Sequence, residues 1–147
     1  MPIWFESPSL DALNKMSENT IHDALGIRFS AIGDDYVQAT MPVDRRNHQP
    51  YGLLHGGASV VLAESLGSVG AGMCVDQRRF LVVGQEINAN HLRSVTDGVV
   101  TGTARPVHMG RRSHVWEIDV NDDQQRLICI SRLTLAVLPR KNSGSGR

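Results

Sequence analysis

One carboxylate stands alone in the most apolar stretch of this chain. Between residues 56 and 75, Glu64 is the only Asp, Glu, Lys, Arg or His. A run of that kind demands cover along most of its surface, so the fold must supply it. The run is about the length of a membrane span. Gly57, Gly67, Gly70 and Gly72 interrupt it, and Glu64 sits at its centre, where a charge is expensive in lipid. We therefore read a buried helix over roughly 57–74 in a soluble, cytoplasmic protein. Each glycine weakens a helix by about 1 kcal/mol relative to alanine. Small residues on this helix point to close approach, by a sheet or by a second copy of the helix.

The flanking sequence supplies strands. Ser9 is a helix N-cap for a short helix to about Met16, and a second short helix is expected around 21–25. Runs 26–32 and 36–41 read as strands joined at Gly33-Asp34-Asp35, with Pro42 ending the second. Residues 43–54 are polar and irregular, a loop that delivers Gln49. Beyond Arg79 the pattern is β: 80–94 with a break at Gly84, 99–109, 114–121 and 127–138. In the third of these, Trp116, Ile118 and Val120 alternate with Glu117 and Asp119. One long apolar helix among strands is an α+β arrangement, with the sheet wrapped around that helix. Residues 1–139 form one domain, and 140–147 are a polar tail expected to be disordered.

Charge and cysteine content narrow the chemistry. Fifteen Lys and Arg balance fifteen Asp and Glu, so nothing favours nucleic acid or an acidic membrane. Cys74 and Cys129 have no metal-ligand spacing and read as buried thiols. The N-terminus lacks the basic and apolar regions of a signal peptide.

The candidate site gathers around the start of the helix. Gly56 and Gly57 present backbone N–H groups at its partly positive end, suited to a developing oxyanion; a tight turn is the alternative. Glu64 is a nucleophile, a general base for water, or a structural carboxylate bonded to Ser68 one turn on. Gln49 and His55 either position a carbonyl and a water or are solvated loop residues. Gly56 and Glu64 lie eight positions apart, about 12 Å along a helix, too far for one small reacting group. If both act on one carbonyl, a second, antiparallel chain must bring Glu64, and a two-fold dimer does this. His91, Arg93, Arg105, His108, Arg111, Arg112 and His114 form a basic excess that suits a phosphate-bearing ligand or an ordinary strand surface. His22 and His48 are read as structural.

The run His48-Gln49-Pro50-Tyr51-Gly52-Leu53-Leu54-His55-Gly56-Gly57-Ala58-Ser59, with Leu62-Ala63-Glu64-Ser65-Leu66-Gly67-Ser68, resembles the hotdog-fold acyl-CoA thioesterases. The nearest branch contains the 1,4-dihydroxy-2-naphthoyl-CoA thioesterase of menaquinone synthesis and the proofreading thioesterase of enterobactin synthesis. Residues 83–93 and 108–111 extend the likeness, and segment 71–80 departs from it most. The resemblance implies a hotdog fold, a homodimer often paired into a homotetramer, and hydrolysis without metal or cofactor, coenzyme A being part of the substrate. It implies Glu64 as catalytic carboxylate, Gly56 N–H as carbonyl donor, and Gln49, His55 and Ser68 as assistants. It lays coenzyme A along Val83, Gly84, His91, Arg93, Ser94, His108, Met109, Gly110, Arg111 and Arg112.

The reading that follows is a thioesterase for aromatic or hydroxylated acyl-CoA. Alternatives are a proofreading thioesterase for misacylated carrier proteins, a non-catalytic acyl-CoA-binding module, and a hotdog dehydratase with its own acid and base.

Overall fold

The computed structural model describes residues 1–141. The helices are α1 (Leu10–Met16), α2 (Ile21–Leu25) and α3 (Gly56–Met73). The strands are β1 (Arg28–Ile32), β2 (Val37–Pro42), β3 (Phe80–His91), β4 (Val99–Met109), β5 (Ser113–Asn121) and β6 (Leu127–Pro139). Local signals set the short elements. Ser9 Oγ accepts from the Ala12 N–H to start α1, and Thr20 caps α2 in the same way. Gly26 ends α2 in the left-handed region at φ +73°, where a side chain would be strained. The expected 140–147 tail lies partly outside the described residues. Arg140, at its start, donates its backbone N–H to the Arg79 carbonyl at 2.8 Å.

The six strands form one antiparallel sheet in the order β1-β2-β4-β5-β6-β3. The expected break at Gly84 is a bulge: Gly84 pairs with Leu135, Glu86 pairs with Thr134, and Gln85 is skipped. β3 ends at His91, so Arg93 and Ser94 lie beyond the strand, although the sequence pattern predicts it to run to 94. β3 is an edge strand, paired only with β6.

The alternation expected in β5 holds. His114, Trp116, Ile118 and Val120 are buried, while Val115, Glu117, Asp119 and Asn121 are half-buried on the other face. The buried face carries α3. Ala58, Ser59, Leu62, Ala63, Leu66, Gly67, Gly70 and Ala71 form its buried stripe. The glycines serve the sheet: a Cβ on Gly67 would lie 2.7 Å from Leu133 Cδ2, and one on Gly70 would lie 2.7 Å from Trp116 Cζ3. Gly102 of β4 makes the complementary dent for Leu62 and Leu66. Trp4 stacks on Trp116, centroids 6.4 Å apart, and closes the end of this core.

The opposite side of α3 differs from the expectation of a helix enclosed all round. Val60, Val61, Glu64, Ser65, Ser68, Val69, Gly72 and Met73 are only half-buried. The sheet covers one face and leaves an apolar, partly open face that carries the carboxylate. Even so, no helix among the described residues is long and apolar enough to cross a membrane. Both cysteines are free. Burial pushes the Cys74 thiol up to about 12, which makes it a poor nucleophile at neutral pH.

Two outcomes follow from this packing. Gly70→Ala should destabilise the fold by about 1–3 kcal/mol, because buried Trp116 has no room to move. Gly72→Ala, whose Cβ meets nothing closer than 3.7 Å, should instead gain up to about 1 kcal/mol from helix propensity. Urea midpoints measure both, and equal shifts would contradict the packing. Burial, helped by nearby His108, holds the His114 imidazole below its ordinary value, and the Trp116 indole N–H donates to its Nδ1 at 3.3 Å. The unfolded chain then binds the proton first as pH drops, so stability should fall from the unfolded pKa of about 6.5 downward. Between about pH 7.5 and about pH 5 the loss should be smaller in His114→Asn than in the wild type.

Candidate active site

The loop between β2 and α3 is knitted by Asn47, a buried residue that sequence reasoning passed over. Its Nδ2 donates to the Pro42 carbonyl at 2.7 Å, its Oδ1 accepts from the Asp44 N–H, and its carbonyl accepts the His55 N–H at 2.8 Å. Its only sequence signal is the polar turn around it, Asp44-Arg45-Arg46-Asn47. Gln49 is half-buried, and its side-chain oxygen accepts from the Tyr51 N–H at 2.5 Å. That bond turns the tight loop through Gly52 at φ +77° and leaves the carboxamide NH₂ as the free end of Gln49.

His55 is the N-cap of α3. Its Nδ1 accepts from the Gly57 N–H at 2.8 Å, so in the neutral ring Nε2 carries the proton. This divides the two expected oxyanion donors. The Gly57 N–H is taken by His55, whereas the Gly56 N–H has no partner among the described residues. The imidazole of His91 stands over Gly56, where a Cβ would lie 2.8 Å from its Nε2.

Glu64 projects from the half-buried face of α3 and meets the sheet at a glycine. A Cβ on Gly84 would stand 2.7 Å from Glu64 Oε1, so the bare backbone at the β3 bulge lets the carboxylate approach. No Ser68 hydroxyl bond to Glu64 is formed; Ser68 instead lines a groove of about 220 Å³ with Leu13, Val69, Met73 and Val82.

In one chain these residues form two groups rather than one. Gln49, His55, Gly56 and His91 gather at the N-terminal end of α3. Arg93 and Ser94 follow close by, because the Val95 carbonyl accepts the Leu54 N–H at 2.8 Å. Glu64, Ser68, Val83 and Gly84 gather further along. Arg111 and Arg112 join them through β6: Val83 and Ser113 both pair with Ala136, and the Arg112 carbonyl accepts the Val137 N–H. Met109 and Gly110 lie in the same turn, beside His108. His91 pairs with Cys129, seven residues along β6 from Ala136, about 23 Å in a strand. The basic set is thus split between the two ends of the sheet.

Two of its expected members drop out. His114 is buried and bonded to Trp116, facing α3 and away from any surface ligand. Arg105 lies over the Tyr36 ring at 4.9 Å. His22 and His48 are structural, bonded to Ser17 and to the Thr96 carbonyl. No group of three His, Cys, Asp or Glu side chains is placed to hold a metal among the described residues.

Chemically, the arrangement offers an unpartnered N–H at a positive helix end and a partly exposed carboxylate on a largely apolar face, with basic residues at both approaches. Comparison with known proteins bears on what it is for. Residues 51–129 match the Thioesterase superfamily. The chain is 54% identical over 136 residues to the 1,4-dihydroxy-2-naphthoyl-CoA hydrolase of Escherichia coli K12, covering 92% of this chain and 99% of that protein. It is 51% identical over 136 residues to the proofreading thioesterase EntH of Cronobacter turicensis, covering 92% and 98%. Its fold superimposes on a mutant of thioesterase PA1618 from Pseudomonas aeruginosa with a TM-score of 0.93 and 53% identity, over 94% of this chain and 99% of that one. The chain with this split site belongs to the thioesterase superfamily of hotdog proteins, and it is a thioester hydrolase.

Proposed function

We propose that the protein hydrolyses acyl-CoA thioesters whose acyl groups are aromatic or hydroxylated, 1,4-dihydroxy-2-naphthoyl-CoA among them, as a step of menaquinone synthesis. The observation that carries this reading is the pairing of an unpartnered Gly56 N–H with a Glu64 carboxylate about two helical turns away. The identity to a hydrolase named for that substrate supports the acyl class.

In this mechanism two chains lie antiparallel about a two-fold axis, and each site uses Gly56 of one and Glu64 of the other. Two such dimers pair into a tetramer. The thioester oxygen accepts the Gly56 N–H, and the positive end of α3 stabilises the charge that develops there. The Glu64 carboxylate attacks the carbonyl carbon or takes a proton from a water that does. The carbon–sulfur bond breaks, coenzyme A leaves as its thiol, and water supplies the oxygen of the acid. The free NH₂ of Gln49 and the outward Nε2–H of His55 are donors for the carbonyl or the water. Val83, Gly84, His108, Met109, Gly110, Arg111 and Arg112 from one chain, with His91, Arg93 and Ser94 from the other, hold the coenzyme A arm. The two-ended distribution of basic residues is what such a cross-chain site requires.

A second reading is favoured by the likeness to a proofreading thioesterase: the acyl group arrives on a carrier protein. The same acyl group offered on coenzyme A and on a carrier decides between them by kcat/KM.

Glu64→Gln should lower kcat by about 10²- to 10⁴-fold with little change in KM. Near-normal kcat would remove Glu64 from the mechanism. Glu64→Ala and Gly56→Val should each be inactive alone, yet their heterodimer should regain about one site in two. No recovery in verified heterodimers would refute the shared site.

A further inference from the structure

The groove begins at Ser68, one turn beyond Glu64, and runs along the half-buried face of α3. Leu13 of α1, Val69 and Met73 of α3, and Phe80 and Val82 of β3 make its walls, around about 220 Å³. Two independent measures give its reach. Gly72 lies eight residues beyond Glu64 on α3, about 12 Å. Phe80 lies four residues before Gly84 on β3, about 13 Å. The two walls face each other: a Cβ on Gly72 would lie 3.7 Å from Val82 Cγ2. Gly72, Met73, Val75, Gln77 and Phe80 all come from the segment that joins α3 to β3 or borders it.

The far end of this slot is polar. Phe80 pairs with Pro139, and Arg140 follows it into the groove lining. The Arg140 backbone N–H donates to the Arg79 carbonyl at 2.8 Å, and its Nε donates to the Gln77 carbonyl at 2.5 Å. Gln77 is itself tied to α3, its Nε2 donating to the Gly72 carbonyl at 2.9 Å. The guanidinium is therefore anchored at its base. Among the described residues its terminal nitrogens have neither a carboxylate nor a hydrogen-bond partner.

An apolar slot that begins at Ser68, one turn beyond the Glu64 carboxylate, and runs past Gly72 and Phe80 to an anchored cation suits one shape of ligand. We propose that the groove receives the acyl group and that Arg140 is a specificity-determining residue, selecting acyl groups with an apolar body and a distal acceptor oxygen, carboxylate above hydroxyl. This rests on the reading of Glu64 as the catalytic carboxylate, because Glu64 fixes where the acyl group begins. A plain alkyl end offers the exposed guanidinium no partner, while a carboxylate accepts two parallel N–H bonds from its fork.

The test compares kcat/KM for ω-carboxy-, ω-hydroxy- and unsubstituted alkanoyl-CoA esters of graded, matched length. At the length that spans the groove, the wild type should prefer the carboxylate over the unsubstituted end by about tenfold or more, with hydroxyl between. Arg140→Met should reduce that ratio by about tenfold. Arg140→Lys should retain part of it, because lysine keeps the charge and loses the fork. An unchanged ratio in Arg140→Met would overturn the proposal. Calorimetric affinities for the matching non-hydrolysable alkyl-CoA thioethers separate the two readings. If no ester turns over but the thioether ratio still depends on Arg140, the hydrolytic assignment to this site fails and the groove assignment stands. If esters turn over and neither ratio moves, the groove assignment alone fails.

Discussion

Everything in this molecule depends on how closely α3 lies on the sheet. Gly67 and Gly70 remove the side chains that would hold the helix off Leu133 and Trp116, and Gly102 does the same from the strand side. Glycine is a poor helix former, so the contact has to offset about 1 kcal/mol at each position. What it achieves is orientation. A helix seated on one stripe cannot roll, so the residues a half-turn away are set as well. Glu64 is one of them, and its carboxylate reaches the β3 bulge because the stripe beneath it is fixed.

The same geometry explains why Gly56 and Glu64 do not meet within one chain. A straight helix cannot bring its first turn to its own middle. The N-terminal end offers a hydrogen-bond donor, and the middle offers a carboxylate. Each end of the sheet carries its own basic residues, and no rearrangement of one chain joins them. The half-buried, largely apolar face of α3 lies between these two sets, next to the open edge of β3.

Much of this was legible in residue order. Ser9 marks the start of α1 through its side chain, and period-two alternation in β5 identifies the inner face. Gly26, expected to open a strand, instead ends α2 because only the left-handed backbone there closes the helix, and β1 starts at Arg28. The lone Glu64 and the glycines around it mark the helix that matters. The rest depends on pairing between distant segments. That Gly84 meets Glu64 follows from the skipped residue in the β3–β6 ladder, which local sequence does not encode. His114 looks like its basic neighbours until its strand phase turns it inward. His55 and Gly57 look like two independent site residues until the cap bond between them is seen. Arg140 reads as part of a polar tail until the β3–β6 ladder seats it beside Arg79 and Gln77.

The strand order has a consequence for how the protein is made. β3 lies at the sheet edge and pairs only with β6, which runs to Pro139. A ribosome releases β3 well before it releases its one partner, so during synthesis the strand waits unpaired with exposed backbone. Until β6 emerges, the Gly84 bulge has no ladder to form in, and Glu64 has no backbone to rest against. The carboxylate is synthesised well before β6, the strand that completes its surroundings. A chain cut short before β6 therefore lacks the setting of its carboxylate even though it contains every residue from Gln49 to Arg112.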